Sequence, residues 1–111
     1  MKFRYSEYTV EQLREELADL KEKLQTAEQL GEVQKVSIYG RKMQIVASYM
    51  INPDEFKPDD IYTINGDPGY SFKINYINGV MAWGHRINLL NEMNEVEEAL
   101  PIAMLGDIVN Q

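Results

Sequence analysis

Val10, Leu13, Leu17, Leu20, Leu24 and Ala27 recur at alternating steps of three and four residues, a rhythm that only an α-helix converts into one apolar stripe. Thr9 with Gln12 has the spacing of a capping box, and Tyr8 with Leu13 that of the hydrophobic staple around it. Gly31 is a natural stop, so the first helix is expected over 9–30. Val33, Val36, Gly40, Met43, Ala47 and Met50 repeat the rhythm, which predicts a second helix over 32–51. This helix carries apolar residues off its stripe as well: Ile38, Tyr39, Ile45, Val46 and Tyr49. Two apolar faces need two neighbours, here the first helix and either the sheet or a partner chain. Gly40 reads equally as a close crossing or as a tolerated glycine that costs about 1 kcal/mol. Asn52–Pro53 ends the helical half, because proline lacks the amide and restricts the residue before it.

Beyond that point the period shortens to two. Strands are expected at 61–64, 70–77 and 80–87, with an edge strand at 97–102, where Pro101 is tolerated. Asn78–Gly79 is the strongest hairpin signal, and a two-residue type I′ turn there pairs Ile77 with Val80, Ile74 with Trp83 and Phe72 with His85. Phe72, Ile74, Tyr76, Met81, Trp83 and His85 would then share one buried face. Residues 88–96 read as a polar link with room for a helical turn, and 103–109 as a terminal turn or 3₁₀ segment. Short strands and tight turns indicate a small open barrel or a helix-covered meander.

At 111 residues the chain suits one domain or two small pieces, 1–52 and 53–111, packed as one unit. It has no cysteine, which excludes disulfides, thiol nucleophiles and cysteine-based metal sites. No stretch approaches the ~20 apolar residues of a membrane span, and the opening residues carry no secretory pattern. No membrane association is therefore expected, and the absence of cysteine fits a cytoplasmic location. The net charge of −7 is uneven: residues 1–51 hold eight basic and eight acidic side chains, residues 52–111 three and ten. That balance opposes binding to a phosphate backbone, so a nucleic-acid-associated role ranks behind a protein partner.

Candidate chemistry is sparse. His85, the only histidine, is either a general base or a packed, hydrogen-bonded side chain, and the second reading is preferred. A metal site of Asp67, His85 and a glutamate would have no recognised spacing. Glu97 and Glu98 point to opposite sides of a strand and make no catalytic pair. Gly66–Asp67–Pro68–Gly69 lacks the Lys-Ser/Thr pair and following helix of a phosphate loop, so it reads as consecutive turns, with a ligand loop as the alternative. The aromatics Phe3, Tyr5, Tyr8, Phe56, Tyr62 and Tyr70 exceed what one sheet face needs. They either line a groove for a peptide or second subunit, or cover the junction of helices and sheet. The candidate interaction surface is Tyr5, Tyr8, Tyr62, Asp67, Tyr70 and His85.

The strings RYSEYT (4–9), FKPDDIY (56–62), GDPG (66–69), FKINYINGVMAWG (72–84) and EEALPIAML (97–105) together resemble the YfhH-like family of small uncharacterised proteins from Gram-positive bacilli. The resemblance implies an α+β fold, an N-terminal antiparallel helical hairpin followed by a small SH3-like antiparallel β-barrel. It carries over no catalytic, cofactor or metal residue. SH3-like barrels serve recognition, and fold alone does not choose the ligand. The expectation is a non-enzymatic interaction or regulatory module, without a cofactor, that binds an unidentified protein partner or itself. A small-molecule-binding protein or enzyme with a site near His85 is the remaining alternative.

Overall fold

The computed structural model describes residues 4–109, in two compact units, Met1–Ile51 and Asn52–Gln111. The first is a helical hairpin. A 3₁₀ turn, Tyr5–Glu7, leads into α1, Val10–Gln29, and α2 is Val33–Ser48. The capping box is complete: the Thr9 hydroxyl accepts from the Gln12 amide at 3.2 Å, and the Gln12 side chain accepts from the Thr9 amide at 2.9 Å. At the other end Gly31 takes a φ of +69°, with Glu32 N–H on Ala27 O at 2.9 Å and Gly31 N–H on Glu28 O at 3.2 Å. These are the two bonds of a Schellman stop, and the positive φ is why glycine stands there.

Leu13, Leu20 and Val46 form the buried centre of the hairpin, and Leu17, Tyr39, Met43 and Tyr49 pack around it. Leu13 and Leu20 are two helical turns apart, so the stripe read from sequence is the buried one, while Val10 at its start stays exposed. Ile38 on α2 also remains exposed. A Cβ on Gly40 would meet nothing within 4 Å, so the glycine serves no close crossing. Gly40→Ala is therefore expected to stabilise the hairpin by about 1 kcal/mol, read as a higher midpoint in urea unfolding.

The second unit is a five-stranded antiparallel sheet. Its strands are β1, Ile61–Ile64; β2, Tyr70–Asn78; β3, Met81–Asn88; β4, Glu98–Pro101; and β5, Leu105–Ile108, in the order β4-β3-β2-β1-β5. The expected barrel is not there: β4 and β5 are the two edges, with no ladder between them among the described residues. The same topology explains why the chain reads so much like a barrel. A flat sheet would put these edges ~19 Å apart. Only the 3₁₀ turn Ile102–Met104 joins them, and four Cα steps span at most ~14 Å. The sheet must curl, but it stays open. The segment at 103–109 also departs from expectation, since most of it is β5, held by Thr63 and Asn65: the Asp107 amide bonds Thr63 Oγ1 at 2.9 Å and the Asn65 amide bonds Met104 O at 2.8 Å.

The central hairpin departs further. Its turn residues are Gly79 and Val80, closed by the Asn78–Met81 pair, and only the first has a positive φ (+62° at Gly79). That places glycine first in a II′-type turn, not second in a I′ turn. Val80 is drawn inward because its side chain is buried and its carbonyl accepts the Ile102 amide at 2.9 Å. Ile77 consequently faces Ala82, not Val80.

Between Ile74–Gly84 and Tyr76–Trp83 one residue, Asn75, is extra on β2. A bulge of one residue exchanges the faces of everything beyond it. Phe72 and Ile74 lie in the core with Ala82 and Gly84, together with Tyr62, Ile64, Leu100, Ile102 and Leu105. Tyr76, Met81, Trp83 and His85 belong to the opposite face, where the Tyr76 and Trp83 rings stack at 6.0 Å and 7°. The face expected to be uniformly buried is thus split by the bulge. His85 faces Lys73, and Arg86 takes the place opposite Phe72.

Candidate functional site

Beyond Asn88 the chain turns on that residue's own side chain. Asn88 Oδ1 accepts from the amides of Leu90 (3.0 Å) and Glu92 (2.9 Å), and its Nδ2 donates to Glu92 Oε1 at 3.2 Å. Asparagine does this because its carboxamide mimics a backbone turn. Asn91 completes the turn at a φ of +64°. The return limb is fixed by a bridge of Met93 to Ile87, by the Asn94 amide on Arg86 O at 2.8 Å, and by His85 Nδ1–H donating to Asn94 O at 2.9 Å.

This ordered loop carries an apolar load in the open. Leu89 is 83% exposed, Leu90 79% and Val96 67%. Leu89 and Leu90 are neighbours in the chain, and exposed apolar side chains set side by side mark interaction sites more often than single ones do. The expected polar link with a helical turn is in fact a hydrogen-bonded loop without a helix.

Beneath the loop runs a groove of about 610 Å³. Its apolar walls are Ile61, Ile87, Leu89, Met93 and Val109; Ser71, Lys73 and Asn91 also line it. It crosses β3, β2 and β1 and ends at the residue following β5. Among the described residues no carboxylate lines it, although the second half of the chain carries ten acidic groups against three basic ones.

The expected surface residues fall into separate places. Tyr5 and Tyr8 meet edge to face at 5.2 Å and cover the core of the helical hairpin, with Tyr5 also near Tyr49 at 6.1 Å. Burial, then the Glu16 carboxylate that accepts from its hydroxyl at 3.4 Å, pushes the Tyr5 phenol above its ordinary range. Tyr62 is a core residue of β1 against Phe56 at 5.2 Å. Its phenol is likewise pushed up by burial first and by Asp60 second. Each of these tyrosines packs within its own unit, Tyr5 and Tyr8 on the hairpin core and Tyr62 in the sheet core; Phe3 lies outside the described residues.

Asp67 and Tyr70 are brought together by a residue the sequence reading passed over. Arg86 Nε reaches both oxygens of Glu98 at 3.0 Å, its Nη1 bonds Asp67 Oδ2, and its guanidinium lies 5.8 Å above the Tyr70 ring. The Gly66–Gly69 turn is thereby clamped to β3 and β4 by a half-buried ion triad. Arg86→Met would strand two partly covered carboxylates. It is expected to cost about 1–2 kcal/mol in urea unfolding, with Arg86→Lys between the two because lysine lacks the fork. Asp67 is thus committed to Arg86 and His85 to Asn94. Among the described residues no group of three or more His, Cys, Asp or Glu could hold a metal ion, and no helix is long and apolar enough to cross a membrane.

A signal for the loop was in the sequence: a Leu89–Leu90 pair held between two turn-forming asparagines, Asn88 and Asn91. For the groove there was none, because its walls come from three strands, the residue after β5 and a loop. Residues 3–106 match the family model described as "Protein of unknown function (DUF1811)". The chain is 37% identical over 107 residues to the uncharacterized protein YfhH of Bacillus subtilis (strain 168), covering 96% of this chain and 98% of the relative. The resemblance carried by the quoted strings is borne out at that level.

Proposed function

Because the chain belongs to the DUF1811 family, whose function is unknown, we propose a role from its own surface: a non-enzymatic module that grips a protein partner through the loop after Asn88. The observation that supports this is the combination of order and exposure in one segment. Leu89 and Leu90 stand in solvent while the Asn88 carboxamide accepts from the backbone amides of Leu90 and Glu92 and donates to the Glu92 side chain. Preorganised apolar side chains bind without first losing loop entropy, and that makes a short segment an effective anchor. The acidic balance of the same half of the chain favours a protein over a phosphate backbone.

The test is affinity capture from native lysate of a Gram-positive bacillus, with and without nuclease, by the wild type and by Leu89→Ser/Leu90→Ser. Both leucines are exposed, so the double variant is expected to keep its unfolding midpoint within about 0.5 kcal/mol. Proteins retained by the wild type, insensitive to nuclease and lost from the variant are the expected result. Capture that vanishes with nuclease, or that the variant keeps in full, overturns the reading.

A further inference from the structure

We infer that the groove receives an extended segment of the partner in which one Asp or Glu is flanked, two residues to either side, by apolar side chains. This rests on the protein-binding reading above and names what would be bound. From β3 to β5 the groove crosses three inter-strand spacings, about 14 Å. An extended chain covers that span in about four Cα steps, the length from the first to the fifth residue of such a segment.

The charge of the lining selects the central residue. Among the described residues Lys73 is the one cation in the lining, and it makes no ion pair with any of them. The Ser71 hydroxyl and the Asn91 carboxamide likewise have no hydrogen-bond partner among them. Ser71 and Lys73 stand two apart on β2 and share a face, so a hydroxyl and an ammonium rise side by side from the middle of the groove. Ile87, Leu89 and Met93 lie to one side of Lys73, and Ile61 and Val109 to the other. A cation with apolar walls on both flanks matches an acidic side chain inside an apolar segment better than a chain terminus, which would leave one wall uncovered. Side chains two apart on an extended segment point the same way, so the apolar, acidic and second apolar residue all face the groove.

The experiment uses the full chain and three N-acetylated, C-amidated heptapeptides, Ser-Leu-Ser-X-Ser-Leu-Ser, with X glutamate, glutamine or lysine. Methyl NMR follows Ile61, Ile87 and Met93, and sodium octanoate is titrated separately. The glutamate peptide is expected to shift these methyls to saturation, about fivefold or more tighter than the glutamine peptide. Lys73→Met should remove that difference, and Lys73→Glu should reverse it in favour of the lysine peptide. Equal binding of glutamate and glutamine peptides, no methyl shift at millimolar peptide, or an unaltered glutamate preference in Lys73→Glu overturns the assignment. Response to octanoate alone also overturns it, in favour of a small amphiphile. If wild type but not Leu89→Ser/Leu90→Ser captures a protein while no peptide shifts the groove methyls, the groove assignment fails and the module reading stands.

Discussion

Gly84→Ala is expected to destabilise the sheet by about 3 kcal/mol or more, the upper end of what overpacking costs. A Cβ there would lie 1.9 Å from Lys73 O and 3.1 Å from Ile74 Cα, and both are backbone atoms that no rotamer change can move. The crowding follows from the Asn75 bulge, beside which the β2 backbone closes onto β3 at Gly84. For a unit of this size the melting transition should fall by more than about 10 °C. Gly69→Ala is the control. A Cβ there would meet only Asp67 Oδ1 at 3.9 Å, and φ is not positive, so a change within about 0.5 kcal/mol is expected. If the two substitutions cost the same, the close approach at the bulge is not what holds the register.

The second large effect is dynamic. Asn88→Ala leaves every apolar atom of the loop in place but removes three hydrogen bonds to Leu90 and Glu92. At about 1 kcal/mol each, with part recovered by water, local opening should become easier by roughly 2 kcal/mol. That corresponds to about thirtyfold faster amide exchange at Leu90 and Glu92. The global unfolding midpoint should move much less, because the loop lies outside the core. Partner capture should weaken with the exchange rate even though Leu89 and Leu90 are intact. Full capture by a loop that exchanges freely would show that order is not what the partner reads. Asn88→Asp is a graded intermediate: it keeps the acceptor for the two amides but puts a negative charge beside Glu92.

Much of the fold could be read directly, for local reasons. Thr9 and Gln12 cap α1 from four residues of sequence, and Gly31 stops it by its own positive φ. The stripe through Leu13 and Leu20 is buried because helical period alone puts those residues on one side. Four of the five strands were legible from alternation and turn residues. The candidate site was much less so. Tyr5, Tyr8 and Tyr62 look like surface aromatics by excess, yet each is held against a core. Arg86 carries no signal in isolation, since its partners Asp67 and Glu98 are 19 and 12 residues away.

What the amino-acid order determines by itself is whatever is set within a turn or two of chain: the two helices and their ends, the positions of most strands, and the uneven charge. Tertiary structure alone decided the rest. Asn75 bulges, and so Phe72 and Trp83 fall on opposite faces; a strand's side-chain period is two, and one extra residue inverts it. Whether the sheet closes depends on an edge pairing between β4 and β5, and no local pattern specifies it. The groove around Lys73 exists because three strands, the residue after β5 and an asparagine-tied loop meet there, and only their meeting leaves that ammonium among apolar walls with no acid lining it among the described residues.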